Sequence, residues 1–216
     1  MRYRCLVLDH DDTAVDSTAT IHYPAFCLAM EQLRPGVRLS LDEYFDMNCV
    51  PGFFEYLRDE LGLTEDEIRW EKEHWLSYVA TRIPHFYDGM AQVIRTQKEA
   101  GGYVCVVSHS NAENIERDYR AASLPLPDLI YDGNRPADQV KPSPYPLRRI
   151  MEKLDLRPQD LLMIDDLTMG HGMAAQAGVD FAAAGWAHRA PLVRAYMAEH
   201  QIRVYDTPEE LAALLF

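Results

Sequence analysis

Helix-like and strand-like segments alternate from residue 88 to the end of the chain, and this alternation constrains the fold more than any other feature of the sequence. Helices are predicted at 88–100, 111–122, 144–154 and 169–177. Apolar runs predict strands at 103–107, 129–131, 161–164, 180–184 and 202–205, and helices follow the last two. With a first strand at 3–8, this order predicts an α/β fold, a doubly wound Rossmann-like parallel sheet with right-handed crossovers.

Residues 17–85 have a different character, because no strand is predicted among them. The helix-like segments are 21–33, 41–47, 53–61 and 65–82, and their apolar residues recur at helical spacing. Such stripes indicate the core of a small helical bundle. We therefore predict a core domain formed by 1–16 and 86–216, and a helical cap domain formed by 17–85, which lies over the carboxyl end of the sheet.

The charge and hydropathy of the chain exclude several kinds of partner. The 216 residues carry a formal net charge of −13, which argues against nucleic acid and against an anionic membrane surface. No run of 18 apolar residues occurs, and a core strand begins two residues after Met1, so neither a transmembrane segment nor a signal peptide is expected. We expect a cytoplasmic protein, as a monomer or small homo-oligomer.

The four cysteines also favour a cytoplasmic location. They are neither spaced as Cys-x-x-Cys nor accompanied by the histidine cluster that a zinc site would need. Cys5 and Cys105 lie within apolar strand-like runs and are expected to be small core residues. The pattern is typical of a reducing compartment.

An acidic cluster follows the first predicted strand, where Asp9 and Asp11 stand two positions apart. Carboxylates this close repel each other unless a cation, a proton or special local geometry offsets the repulsion. Open α/β sheets place their chemistry at the carboxyl ends of strands. The pair therefore predicts a magnesium site whose first acid can also attack an electrophile.

Other polar residues stand at corresponding points along the sequence. Ser108 follows the strand at 103–107, Lys141 precedes the helix at 144–154, and Asp165 and Asp166 follow the strand at 161–164. In a parallel sheet these points lie at one edge, so the side chains should converge with the first acidic cluster despite their separation in sequence.

Taken in order, four motifs resemble those of the haloacid dehalogenase (HAD) superfamily along the whole chain. They are Asp9-x-Asp11-x-Thr13, Ser108, Lys141-Pro142 and the run from Asp165 to Gly170. The helical insert after the first motif looks like the cap of the phosphoglycolate phosphatase and β-phosphoglucomutase branch. Each motif alone would also fit a helix cap or a surface lysine, but their combination favours catalysis.

The resemblance implies a hydrolase that uses Mg²⁺. Asp9 would attack phosphorus and form an aspartyl-phosphate, while Asp11 would protonate the leaving oxygen and then deprotonate the attacking water. Asp9, the backbone carbonyl of Asp11 and Asp166 would hold the metal, with Asp165 as a further direct or water-mediated ligand.

The remaining roles concern the phosphoryl group. Ser108 would donate its hydroxyl to a phosphoryl oxygen, and Lys141 would offset the charge of the nucleophile and of the transferred group. His109 is a candidate phosphate contact, because the backbone N–H groups around it lead into a helix N-terminus.

Two positions depart from the usual pattern of the family. Asp12 stands where glycine is common, and we expect the turn to survive because aspartate tolerates left-handed backbone conformations better than most residues. Gly170 stands where some relatives carry a further metal-binding acid, and Asp165 is expected to compensate.

Among the reactions of the superfamily, phosphomonoester hydrolysis fits best. Asp11 disfavours dehalogenation, which needs no leaving-group proton, and Lys72, which lies among acids, does not resemble the Schiff-base lysine of phosphonatases. A phosphosugar mutase of the β-phosphoglucomutase type and a weakly active phosphate-binding regulatory module remain as alternatives.

The charge of the predicted cap limits the substrate. Residues 17–85 contain twelve acidic and six basic residues, a net charge of −6. This disfavours polyanions and favours a small phosphorylated metabolite, such as a sugar phosphate, a glycolate-like acid or a nucleotide. The loop at 48–53 resembles the segment that reaches toward substrate in related caps. Arg34, Arg38 and Arg58 are expected on the outer face of the cap.

Overall fold

A computed structural model describes residues 1–216 and contains a six-stranded parallel sheet with the order β5-β4-β1-β6-β7-β8. The strands of the chain are β1 (Cys5–Leu8), β2 (Val15–Asp16), β3 (His85–Phe86), β4 (Tyr103–Val107), β5 (Leu129–Tyr131), β6 (Leu161–Asp165), β7 (Asp180–Ala184) and β8 (Val204–Tyr205). The predicted doubly wound α/β fold is confirmed.

Ten α-helices accompany the strands. They are α1 (Tyr23–Leu33), α2 (Leu41–Cys49), α3 (Phe53–Glu55), α4 (Glu65–Ala80), α5 (Asp88–Glu99), α6 (Ala112–Ala121), α7 (Tyr145–Leu154), α8 (Thr168–Ala177), α9 (Pro191–Glu199) and α10 (Pro208–Leu215). π-Helical turns at Thr18–His22 and Tyr56–Glu60 adjoin α1 and α3, and short 3-10 turns lie at Ala137–Gln139 and Pro158–Asp160. None of the helices has both the length and the apolar character needed to cross a membrane.

The central strand β1 separates two apolar cores. Its alternate residues Leu6 and Leu8 pack with α5, α6 and α10 on one face of the sheet. Cys5 and Val7 pack with α7 and α8 on the other face. Because strand side chains alternate between faces, a strand covered on both sides must be apolar throughout. All four residues of β1 are fully buried, which explains why its sequence shows no polar alternation.

The helices from α1 to α4 share a separate core. It contains Phe26, Ala29, Met30, Tyr44, Met47, Leu57 and Leu63. Capping boxes start two of these helices: Ser40 with Glu43 begins α2, and Thr64 with Glu67 begins α4. The helical character predicted for this part of the chain is therefore present, with its own apolar interior.

A two-stranded antiparallel ribbon joins this helical part to the sheet. In it Val15 pairs with Phe86, and Asp16 pairs with His85. Neither strand was predicted from the sequence, because two residues are too few to produce a recognisable alternation. The ribbon brings the two connecting segments together where the chain leaves the sheet and returns to it.

Candidate active site

The carboxyl ends of three neighbouring strands bring the predicted residues together. Leu8 is in register with Val106 on one side and with Ile164 on the other. The backbone N–H of Asp9 continues this pairing by donating to the Ile164 carbonyl at 2.9 Å. The residues that follow β1, β4 and β6 therefore meet at one edge of the sheet, as the sequence predicted.

A cavity of about 630 Å³ opens between this edge and α2–α4. Six of the seven predicted site residues line it: Asp9, Asp11, Ser108, His109, Lys141 and Asp166. Asp165 lies directly behind them and is fully buried. Of the two residues that follow β4, Ser108 is buried and His109 is exposed at the cavity.

Lys141 lies between two of the carboxylates. Its Nζ is 2.9 Å from Asp9 Oδ1 and 2.8 Å from Asp165 Oδ2. Burial lowers the pKa of Lys141, but the charges of Asp165 and Asp9 raise it by more, so the pKa lies above its ordinary value. The side chain is thus a buried ammonium group that partly offsets the charge of both acids.

The two oxygens of Asp9 have different surroundings. Oδ1 is contacted by Lys141 and also accepts the backbone N–H of His10 at 2.7 Å. Oδ2 has no partner in the protein, and the residue lines the cavity. Burial raises the pKa of Asp9 despite Lys141, and the nearby Asp165 and Asp166 raise it further. One oxygen is therefore fixed in position while the other faces the cavity.

Three buried acids have the composition of a site for a hard divalent cation. Carboxylate oxygens of Asp9, Asp165 and Asp166 all lie within 4.8 Å of one another. A single lysine cannot balance these charges, and oxygen donors suit Mg²⁺. Both oxygens of Asp165 already have protein partners, since Oδ2 contacts Lys141 and Oδ1 accepts the Leu167 N–H at 2.8 Å.

Gly170 packs directly against Asp165. A Cβ at this position would lie 2.4 Å from the Asp165 side chain, a distance that no side chain tolerates. An acid at position 170 would thus displace Asp165. This explains in steric terms why the chain has glycine there.

Asp11 accepts hydrogen bonds on both oxygens. Oδ2 accepts from Ser110 Oγ at 2.6 Å and, more weakly, from Ser108 Oγ at 3.4 Å. Oδ1 accepts from Ser17 Oγ at 2.8 Å and lies 3.0 Å from His22 Nε2. Burial raises the pKa of Asp11, but His22 and Ser110 lower it by more, so the pKa lies below its ordinary value. The surroundings therefore hold Asp11 as a carboxylate.

His22 connects Asp11 to the helical part of the chain. The indole N–H of Trp75, on α4, donates to His22 Nδ1 at 2.9 Å. Because an indole nitrogen can only donate, Nδ1 must be the acceptor, and Nε2 carries the proton that is directed at Asp11. Neither residue was predicted from the sequence, since Trp75 lies 53 positions from His22 and no local motif links them.

A second histidine orients Asp166. His188 Nε2 lies 3.2 Å from Asp166 Oδ2, while His188 Nδ1 accepts the Ala190 N–H at 3.3 Å, so Nε2 is the donor. The ring of Phe45, on α2, stacks on His188 with 4.2 Å between centroids. His188 was not predicted either. Thr13, the last residue of the first motif, lies with its hydroxyl 3.3 Å from Asp166 Oδ1.

Asp12 adopts the left-handed conformation that the sequence analysis expected of its turn, with φ at 58°. Its Oδ1 accepts the backbone N–H of Thr18 at 3.1 Å. Burial raises the pKa of Asp12, and the charge of Asp166 raises it further. The residue thus adds an acidic group to the cavity without disturbing the turn.

The opposite wall of the cavity comes from the helical part. Its lining residues are Thr18, His22, Tyr44, Phe45, Asn48, Gly52, Phe53, Phe54, Glu55, Glu71, Lys72, Trp75 and Leu76. The loop predicted to approach substrate therefore contributes to the wall. Arg34, Arg38 and Arg58 do not, and Arg34 instead pairs with Glu67 at 2.8 Å.

Known proteins resemble this chain in sequence and in fold. A family model described as haloacid dehalogenase-like hydrolase matches residues 3–178. Pyrophosphatase PpaX of Bacillus cereus (strain G9842) is 27% identical over 118 residues, which are 53% of this chain and 52% of that protein. The chain thus spans about half the length of the curated relatives it matches.

Solved structures resemble the whole chain. That of a predicted phosphoglycolate phosphatase from Haemophilus somnus 129PT has a TM-score of 0.79 at 16% identity and covers 100% of this chain and 99% of its own. CbbY from Rhodobacter sphaeroides in complex with phosphate has a TM-score of 0.73 at 23% identity, with 97% and 96% covered. At these identities the likeness concerns the fold.

Proposed function

The chain belongs to the haloacid dehalogenase-like hydrolases, and on this premise we propose that it is a magnesium-dependent phosphatase that hydrolyses a small phosphomonoester through an aspartyl-phosphate on Asp9. The main support is the asymmetric setting of Asp9, in which Lys141 holds one oxygen at 2.9 Å and the other faces the cavity. That is the arrangement a carboxylate nucleophile needs.

In the first step, Asp9 Oδ2 attacks phosphorus and the bond to the leaving oxygen breaks. Asp11 gives its proton to that oxygen. The protein holds Asp11 as a carboxylate in the absence of substrate, and an approaching phosphate dianion makes Asp11 take up a proton from solvent because like charges repel. The leaving group therefore departs on the side of Asp11.

In the second step, Asp11 removes a proton from water, and the oxygen of that water attacks phosphorus and releases Asp9. Ser108 donates its hydroxyl to a phosphoryl oxygen, and Lys141 balances the charge that collects around Asp9. The exposed His109 is a further candidate phosphate contact.

Magnesium fits the acids at this site. Asp9, Asp166 and the backbone carbonyl of Asp11 would hold it, and Asp165 would support it through Lys141 or as an additional ligand. When bound, the ion supplies positive charge to the phosphoryl group. His188 and Thr13 hold Asp166 in place for this role.

Residues 17–85 would act as the cap domain that selects the substrate. Their net charge of −6 disfavours polyanions, and a small phosphorylated metabolite fits the cavity of about 630 Å³. Because all four cysteines are free, we place the enzyme in the cytoplasm, as a monomer or small homo-oligomer.

The test is hydrolysis of para-nitrophenyl phosphate with and without Mg²⁺. We expect metal-dependent release in the wild type and almost none in Asp9→Asn, because an amide is a poor nucleophile. Asp138→Asn is the matched control, since Asp138 is exposed and does not line the cavity. Equal rates in wild type and Asp9→Asn would contradict the proposal.

A further inference from the structure

Glu71 is the one buried acid of the cavity wall that has no partner in the protein. It is only 3% exposed and lies in the middle of α4. Each other buried or half-buried acid that lines the cavity has a donor: Lys141 for Asp9, Ser110 for Asp11, the Thr18 N–H for Asp12 and His188 for Asp166. Burial raises the pKa of Glu71 to about 7, and no hydrogen bond or charge contributes to the shift.

Such a residue is unfavourable for folding alone. A buried carboxyl group without a hydrogen-bond partner costs free energy, whereas an apolar side chain at the same place would cost none. Glu71 is too far from the end of α4 to cap the helix. Glu71 lines the cavity and no protein group donates to its carboxylate, so a ligand in the cavity could provide the donor.

The position of Glu71 on α4 indicates which part of a substrate it would meet. Trp75 follows four residues later and so lies on the same face of the helix, about one turn away. Trp75 bonds His22, and His22 Nε2 lies 3.0 Å from Asp11. Since Asp11 serves the leaving oxygen, Glu71 lies on the side of the leaving group rather than of the phosphoryl group.

The charges around Glu71 disfavour an anionic leaving group. The cavity is lined by six acids, Asp9, Asp11, Asp12, Glu55, Glu71 and Asp166, and by two lysines, Lys72 and Lys141. Lys141 is already paired with Asp9 and Asp165, and Lys72 is exposed. A carboxylate or second phosphate on the leaving group would therefore meet more acidic than basic side chains.

We propose that Glu71 is a specificity residue that accepts a hydrogen bond from a hydroxyl or ammonium group of the leaving group, so that the preferred substrates are phosphomonoesters of polar, non-anionic alcohols. This inference rests on the proposed phosphatase function and specifies its substrate class. Carboxylated or doubly phosphorylated substrates are disfavoured by the same contact.

The test compares four alkyl phosphates of similar size: ethyl phosphate, glycerol 3-phosphate, ethanolamine phosphate and phosphoglycolate. We expect kcat/KM for the hydroxyl or ammonium substrate to exceed that for ethyl phosphate by at least about tenfold, the lower end of the effect of one hydrogen bond to a charged group. Phosphoglycolate should be the poorest of the four.

Two substitutions of Glu71 distinguish a hydroxyl donor on the substrate from an ammonium donor. Glu71→Leu should abolish the preference over ethyl phosphate. Glu71→Gln should retain a preference for a hydroxyl, because its amide oxygen still accepts a hydrogen bond, but should lose most of a preference for ammonium. Glu73→Gln is the matched control, because Glu73 is an exposed acid on the same helix that does not line the cavity. Circular dichroism of each variant shows whether it is folded.

Failure of this inference is distinct from failure of the proposed function. If para-nitrophenyl phosphate is hydrolysed but the wild type prefers ethyl phosphate or phosphoglycolate, or if Glu71→Leu leaves the ratios unchanged, Glu71 does not select the substrate. Dissociation constants for the same four compounds on Asp9→Asn, with and without Glu71→Leu, test the contact independently of turnover. Equal affinities there would also overturn it.

Discussion

Replacing Glu71 by glutamine should stabilise the protein at neutral and alkaline pH. The carboxyl group of Glu71 is buried without a partner, and its pKa is raised from 4.5 to about 7. The folded protein therefore holds this proton to a higher pH than the unfolded chain does. As the pH rises from 4.5 to 7, the stability of the wild type should fall, and the variant lacks this contribution.

The size of this change in the free energy of unfolding follows from the pKa shift of Glu71. A difference between 4.5 and about 7 corresponds to about 3 kcal/mol at 1.36 kcal/mol per pKa unit. Part of that loss has already occurred at pH 5, so the advantage of Glu71→Gln over the wild type should grow by about 2 kcal/mol between pH 5 and pH 8. Glutamine has nearly the same shape as the protonated acid, so the two proteins should be similar at low pH.

Urea titrations at several pH values, followed by circular dichroism, measure this quantity. The difference between two proteins that differ in one residue removes the contribution of the other titrating groups. Glu73→Gln should show no such trend, because Glu73 is exposed. If the advantage of Glu71→Gln stays constant within about 0.5 kcal/mol from pH 5 to pH 8, then Glu71 is not a buried carboxyl group without a partner.

Three other substitutions test separate parts of the site. Trp75→Phe removes the donor to His22. We expect kcat to fall about fivefold, as for loss of one neutral hydrogen bond, and inhibition by inorganic phosphate to be unchanged. An unaltered kcat would contradict the coupling of Trp75 to Asp11 through His22. Gly170→Ala places a Cβ 2.4 Å from Asp165 and should destabilise the protein, whereas Gly172→Ala, whose Cβ would meet only Pro142 at 3.8 Å, should be tolerated; thermal unfolding of both compares them, and equal melting temperatures would refute the steric argument. Asp166→Ala should raise the Mg²⁺ concentration needed for half-maximal activity, and an unchanged titration would remove Asp166 from the metal site.

Local patterns in the sequence were sufficient to predict most of the sheet. The bounds of β4, β5 and β7 agree with the predicted strands residue for residue. Each is an apolar run between polar or glycine-containing segments, so its ends are marked by composition. The ribbon of β2 and β3 was missed because two-residue strands carry no periodicity, and its pairs are 69 and 71 positions apart in sequence.

The site shows the same division between local and distant information. Asp9, Ser108 and Asp166 could be brought together in advance, because parallel topology places strand ends at one edge of the sheet. Parallel topology could not place four other residues of the site in advance, namely His22, Trp75, His188 and Glu71. Their importance comes from contacts across the cavity, or from the lack of a contact, and neither is visible in a single sequence.

Chemical trapping of the covalent intermediate tests the central proposal most directly. Borohydride reduces an aspartyl-phosphate to homoserine, so protein quenched during turnover with Mg²⁺ and then reduced should carry homoserine at position 9, detectable by mass spectrometry of the peptide that contains it. We expect the modified peptide only when substrate and Mg²⁺ are both present. Rapid turnover without modification at Asp9, or with modification at another acid, would contradict the account.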